Sequence, residues 1–186
     1  GGKGSRMNYA EKAWMLHRGK PVLSHVVDSI SPQVDMILIS RNNTSDPRYD
    51  ELPYPCIADV AFAANDNDGE ATEQQGPLSG ISAGARHVKT SLTLVVPCDT
   101  PRLPNNLMRK LLDGLGDASV AVVHDGNNEQ PLVFLALTTA LEEIDIYLKT
   151  GRRSVKGWLE GMNHNRVYFE TGSDEFENIN TIDQLA

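Results

Sequence analysis

Long apolar runs, cysteine pairs and any excess of positive charge are all missing from this 186-residue chain. A membrane span needs roughly 18 consecutive apolar residues, and no stretch approaches that. No apolar signal-peptide core stands at the start either, so the expectation is no membrane association. The two cysteines, Cys56 and Cys98, lie far apart and form no CxxC or CxxH pattern. That argues against zinc and disulfide scaffolds and for a reduced, cytoplasmic protein. The net charge of −8 excludes a general nucleic-acid binder, whose surface would be basic overall. Aromatic residues make up only 6%, but 40% of residues are hydrophobic, enough for an ordinary globular core.

The charge that is present is unevenly placed. Residues 1–20 hold Lys3, Arg6, Lys12, Arg18 and Lys20 against Glu11 alone, a local charge of +4, so the rest carries −12. A second cationic group, Lys149, Arg152, Arg153 and Lys156, has no acid between Ile146 and Leu159. Two positive regions on an acidic chain suit small anions; the alternative is solvated surface charge.

Short β-branched runs, "DMILIS" (35–40), "SLTLVVP" (91–97), "SVAVV" (119–123) and "PLVFLAL" (131–137), read as buried strands, and "RVYFE" (166–170) alternates. Between them, apolar residues recur at helical spacing after Pro21, Pro77 and Pro104, and again from Leu141 to Leu148 before Gly151. Strands alternating with helices predict one α/β domain over residues 1–186, a three-layer α/β/α sandwich around a mostly parallel sheet. Ligands then bind at the carboxyl ends of the strands. Residues 61–76, "AFAANDNDGEATEQQG", have the composition of an acidic surface loop. A glycine-rich loop such as the opening "GGKGSR" normally follows a strand, so a first strand is expected to be missing before Gly1.

That opening fits neither the Walker A pattern nor GxGxxG, because Met7 stands at the last glycine position. It is either a tail or a run of amides that cradles phosphate beside Arg6 and Lys12. In "VVPCDTP" (95–101), Asp99 directly follows an apolar strand. A carboxylate there needs compensation, from a hard cation such as Mg²⁺ or from a turn before Pro101. "GPLSG" (76–80) allows close backbone approach to a flat ligand, or simply opens a helix.

Together these stretches resemble the molybdenum cofactor guanylyltransferase family (molybdopterin-guanine dinucleotide synthases). "GGKGSRMNYAEK" is similar to its GGxxxRMGxxDK loop, and "GPLSG" precedes Asp99 of "PCDTP" by 19 residues. "RGKP" (18–21), "HDGNNEQP" (124–131), "GRRSV" (151–155) and "NINT" (178–181) extend the likeness along the chain. Asn8, Glu11 and Ile182 depart from the pattern. The resemblance implies the glycosyltransferase-A-like fold of nucleotide-diphospho-sugar transferases and GMP transfer from GTP to molybdopterin or molybdenum cofactor. It implies Mg²⁺ on Asp99, catalytic roles for Lys12, Arg6 and Asp99, and triphosphate contacts from Gly1, Gly2 and Lys3. Ser40 and Gly80 fall on the nucleotide side, with Asp59 after the third strand and Asp66 and Asp68 as competitors. Arg152, Arg153, Lys156, Asn178 and Asn180 fall on the molybdopterin side, and other cofactor-assembly proteins are candidate partners. A cytidylyl- or sugar-phosphate nucleotidyltransferase, a non-catalytic nucleotide-binding protein and an adaptor are the rival readings. The five histidines receive no role.

Overall fold

The computed structural model describes residues 9–41, 46–59, 76–170 and 174–179. A short helix α1 (Tyr9–Trp14) leads into a small antiparallel hairpin of β1 (Leu16–His17) and β2 (Lys20–Pro21). Helix α2 (Val22–Ile30) follows at once, its fixed-φ Pro21 at the N-cap. Val22, Leu23, Val26 and Ile30 form its buried stripe, at the spacing that the sequence shows. Strands β3 (Ile39–Arg41) and β4 (Cys56–Ala58) pair in parallel. Helix α3 (Pro77–Ala85) begins after Gly76, whose φ of 70° turns the chain into a Pro77 first turn.

The larger sheet holds β5 (Leu92–Val95), β6 (Val120–His124), β7 (Glu129–Leu137) and β8 (His164–Tyr168) in the order β5–β7–β6–β8. Helix α4 (Leu107–Leu115) joins β5 to β6, while α5 (Thr138–Leu141), α6 (Glu143–Lys149) and α7 (Val155–Leu159) join β7 to β8. Strands β5, β6 and β8 run in one direction and β7 runs against them. The expectation of a mostly parallel sheet therefore meets an exception at 129–137. Only a four-residue connection separates β6 from β7, and such a link allows antiparallel pairing alone. Asp125 shapes it by accepting the amides of Asn127 (2.8 Å) and Asn128 (2.7 Å), with Gly126 at φ 93°.

Helices cover both faces of this sheet, which is why its central strands are apolar on both sides. On one face Ala121, Val123, Leu135 and Val167 pack against Leu107, Leu111 and Leu115 of α4. On the other, Val120, Val122, Phe134 and Ala136 pack against Leu78, Ile144, Leu148, Trp158 and Leu159 of α3, α6 and α7. Burial of Phe134 alone contributes about 1.5–3 kcal/mol. Gln33 ties α2 to α4: its Nε2 donates to Ser29 O (2.7 Å) and Pro104 O (3.0 Å), and its Oε1 accepts Met108 N–H (3.0 Å). Among the described residues no helix is long and apolar enough to cross a membrane.

Gly114 of α4 lies against β8, where an added Cβ would sit 3.3 Å from Val167 Cγ1 and closer still to Cγ2. The Gly114→Ala variant is expected to lose about 1–3 kcal/mol in urea unfolding, overpacking outweighing the gain in helix propensity. Adding Val167→Ala should recover part of that loss; a Gly114→Ala protein as stable as the parent would refute the contact.

Candidate active site

Lys12 closes the last turn of α1, and Asp99 lies in the loop that leaves β5 at the carboxyl end of the sheet. Their charged groups meet, with Lys12 Nζ 3.7 Å from Asp99 Oδ2. Residues 87 positions apart are brought together by a third, small core. Ala13 and Trp14 of α1, Leu23, Ile39, Tyr49 and Cys56 share it with Cys98, the neighbour of Asp99. Tyr49 meets the Trp14 ring edge-on at 5.2 Å, and the Arg48 guanidinium stands over the same indole at 5.0 Å. The helix that carries Lys12 is thereby clamped from outside the site.

Asp99 is only 6% exposed. Burial pushes its carboxyl pKa above the ordinary value, and the Lys12 ammonium and a backbone amide only partly offset that. Burial also pushes the Cys98 thiol up, to about 12, so this cysteine stays neutral beside the carboxylate. The loop is held by the chain's later segment: Ile179 N–H donates to Asp99 O (2.9 Å), and Thr100 Oγ1 donates to Asn178 Oδ1 (2.7 Å). Thr100 is fully buried. Arg102 secures the same segment through Asp174 (2.8 Å) and Glu177 (3.2 Å). Asn178, which the family resemblance puts on the molybdopterin side, thus lies beside the Asp99 loop.

A second group gathers at the ends of β3 and β4. Asp59 Oδ1 accepts the Ser40 hydroxyl, and Ser79 Oγ lies 3.4 Å from Asp59 Oδ2 and 2.9 Å from Gly76 O. Gly80 is required here. A Cβ at that position would come 2.9 Å from Asp59 Oδ1 and 3.2 Å from Ser40 Cβ. Three of the sequence candidates, Ser40, Asp59 and Gly80, therefore form one contact set. Their fourth member, Ser79, is 1% exposed and was not singled out within "GPLSG".

The basic cluster is divided in its work. Arg153 Nη1 donates to Leu148 O (2.7 Å) and Arg152 O (2.8 Å), closing the carboxyl end of α6. Its own carbonyl stands 3.7 Å from where a Cβ on Gly76 would be, so this turn abuts the entrance to α3. Arg152, 5.9 Å above the Tyr147 ring, and Lys156 are exposed. Gly1, Gly2, Lys3, Arg6, Asp66, Asp68 and Asn180 lie outside the described residues.

One carboxylate with little compensation, at a strand end and beside a lysine, is a donor set that fits Mg²⁺ shared with substrate phosphates. No group of three or more His, Cys, Asp or Glu able to hold a metal by itself occurs among the described residues. The metal's remaining ligands would be phosphate oxygens and water.

Residues 1–167 match the MobA-like NTP transferase domain. The chain belongs to that family. It is 32% identical over 186 residues to a molybdenum cofactor guanylyltransferase of Shewanella putrefaciens, covering 99% of this chain and 90% of the relative. Its fold matches the crystal structure of molybdopterin-guanine dinucleotide biosynthesis protein A from Archaeoglobus fulgidus, with a TM-score of 0.69 at 20% identity, covering 94% of this chain and 87% of that one. A 2-C-methyl-D-erythritol 4-phosphate cytidylyltransferase from Thermus thermophilus matches with a TM-score of 0.68 at 15% identity, covering 95% and 91%. The fold is that of the nucleotide-diphospho-sugar transferases, and the family is one of nucleotidyltransferases.

The raised Asp99 pKa has a stability consequence with a definite sign. The folded chain binds this proton more tightly than the unfolded one, so ionising Asp99 costs stability as pH rises from about 4 through the folded value. Asp99→Asn mimics the protonated state. Its thermal midpoint relative to the parent should therefore increase between pH 4 and pH 7; a constant difference would contradict the buried-charge assignment.

Proposed function

We propose that this chain transfers GMP from GTP to the terminal phosphate of molybdopterin, with or without bound molybdenum, and releases pyrophosphate. A buried Lys12–Asp99 pair at a strand end, in a chain whose relatives bear the guanylyltransferase name, carries the reading. An oxygen of the acceptor phosphate attacks the α-phosphorus of GTP. The bond from that phosphorus to the α,β-bridging oxygen breaks, and the electron pair leaves with pyrophosphate. The attacking phosphate is already ionised near neutral pH, so positioning and charge neutralisation suffice without a strong base.

Asp99 is the residue that would hold Mg²⁺, and the ion would supply Lewis-acid stabilisation of the charge that develops on the phosphates. Lys12 offsets the charge that grows on the α-phosphate and the leaving group. Gly1, Gly2 and Lys3, with Arg6, supply amides and charge for the β- and γ-phosphates. The Ser40–Asp59–Ser79 set receives the nucleoside, and Gly80 keeps the backbone close to it. Asp59 is preferred to Asp66 and Asp68 because it stands at the end of β4 in contact with Ser40. Arg152 and Lys156 offer outward cations to the acceptor, Asn178 and Asn180 are assigned to the same substrate, and Arg153 shapes the turn. On this reading the reaction takes place in the cytoplasm.

Incubation with GTP, Mg²⁺ and molybdopterin should yield the guanine dinucleotide and pyrophosphate by mass analysis. Asp99→Ala should abolish that turnover while the protein still folds. Lys12→Ala should lower kcat by about 10²–10³-fold with a smaller loss of GTP binding. Retained turnover in either variant would remove that residue from the mechanism. Thermal shifts with GTP, CTP, ATP and UTP test the base: stabilisation by CTP in place of GTP would favour a cytidylyltransferase.

A further inference from the structure

The "HDGNNEQP" stretch and the histidines have no part in the reaction described so far, yet the structure places one histidine at the same end of the sheet as Asp99. His124 is the last residue of β6 and Tyr168 the last of β8, and the two are directly paired across the parallel ladder. Their ring centroids are 4.7 Å apart with planes at 37°. Alternation along the strands fixes which face they occupy. Val123 and Val167 point into the α4 core, and Val120 and Val122 point toward α7, so His124 and Tyr168 face the α7 side. That is the layer of the exposed cations Arg152 and Lys156.

Tyr168 is 61% exposed, the sole aromatic among the exposed large apolar side chains of the described residues. Its partner is held rigidly. Gly126 N–H donates to His124 Nδ1 (3.1 Å), so the neutral ring carries its proton on Nε2, leaving a donor there. Gln130 Nε2 donates to Asp125 Oδ2 (2.6 Å), which fastens the loop beside the rings. The β6–β7 ladder jumps from Phe134 to Gln130 at this point, so residues 131–133 bulge out of the pairing beside the strand that carries His124. Bulges of this kind re-aim side chains next to active sites.

The spacing fits the acceptor. Strand β5, which leads to Asp99, is two places from β6 and three from β8. At about 4.8 Å per strand the ring pair stands roughly 10–14 Å across the sheet end from that loop. A pterin ring system joined by a short arm to the phosphate that reacts near Asp99 spans a gap of this kind.

We infer that the exposed ring of Tyr168, backed by His124, stacks the flat pterin of the acceptor, with His124 Nε2–H, Asp125 and Gln130 at its hydrogen-bonding rim. This assignment rests on the proposed reaction for the identity of the acceptor. Stacking on one aromatic ring is sequence-tolerant for bases and equally available to a pterin, and its loss weakens binding about tenfold.

Three variants and two readouts test it. Tyr168→Ala should raise the KM for molybdopterin about tenfold or more, leave the KM for GTP unchanged, and keep kcat at saturating acceptor. Tyr168→Phe should behave as the parent, since the ring and not the hydroxyl is used. His124→Ala should act in the direction of Tyr168→Ala. Separately, the intrinsic fluorescence of 6-hydroxymethylpterin should be quenched by the parent protein and not by Tyr168→Ala. If the parent transfers GMP and Tyr168→Ala leaves the acceptor KM unchanged, or shifts the GTP KM equally, the stacking assignment is wrong. If the parent transfers nothing to molybdopterin, the guanylyl reading fails instead. The pterin titration then decides the ring site alone, and quenching that is absent, or equal in both proteins, overturns it.

Discussion

A carboxylate buried to the extent of Asp99 is stable only if its surroundings supply charge, and much of the chain is arranged around that need. Lys12 answers part of it from α1, a helix of six residues that has little stability of its own. The helix is held instead by tertiary packing of Ala13 and Trp14 on Tyr49, Leu23 and the residue next to Asp99. The same small core thus positions both members of the pair. The remaining shortfall in charge compensation is what a cation would offset, and on the proposed reading Mg²⁺ would fill that need.

On the proposed reading the two halves of the chain divide the two substrates between them. The parallel pair β3–β4 and the start of α3 present hydroxyls, one carboxylate and a glycine at close quarters, a surface suited to a nucleoside. The four-stranded sheet carries the aromatic pair, and the segments around it add Asn178 and two outward cations, a surface suited to a larger anionic acceptor. The Arg153 carbonyl, 3.7 Å from where a Cβ on Gly76 would stand, brings the two halves side by side. Asp99 stands at the end of β5, an outer strand of the four-stranded sheet.

Much of this was legible in advance. Apolar spacing located α2, α3 and α4, and β-branched runs located β5, β6 and β7, because in those segments burial and local preference agree. Asp99 drew notice because a carboxylate three residues past "LTLVV" must be compensated, by a cation or by a turn before Pro101, and the sequence left both open. Other features depended on pairing. The reversed direction of β7 follows from the length of the turn at 125–128, which periodicity does not register. Helices α1 and α7 are too short to show a helical repeat. Arg153 and Arg152 are indistinguishable by charge, and only the fold shows that one closes α6 while the other faces outward. Likewise the contact between Ser79 and Asp59 joins residues 20 apart through backbone geometry alone.

The hydrogen bond from Ile179 to the carbonyl of Asp99 also sets an order in time. Strands β5 to β8 and their helices can assemble as the chain is synthesised, but the loop bearing Asp99 is incomplete until residues 178 and 179 arrive. A nascent chain can therefore acquire most of its core well before it acquires its chemistry. A product truncated at Phe169 would lack the Ile179 and Asn178 bonds to the Asp99 loop and the Phe176 ring that packs on Phe169.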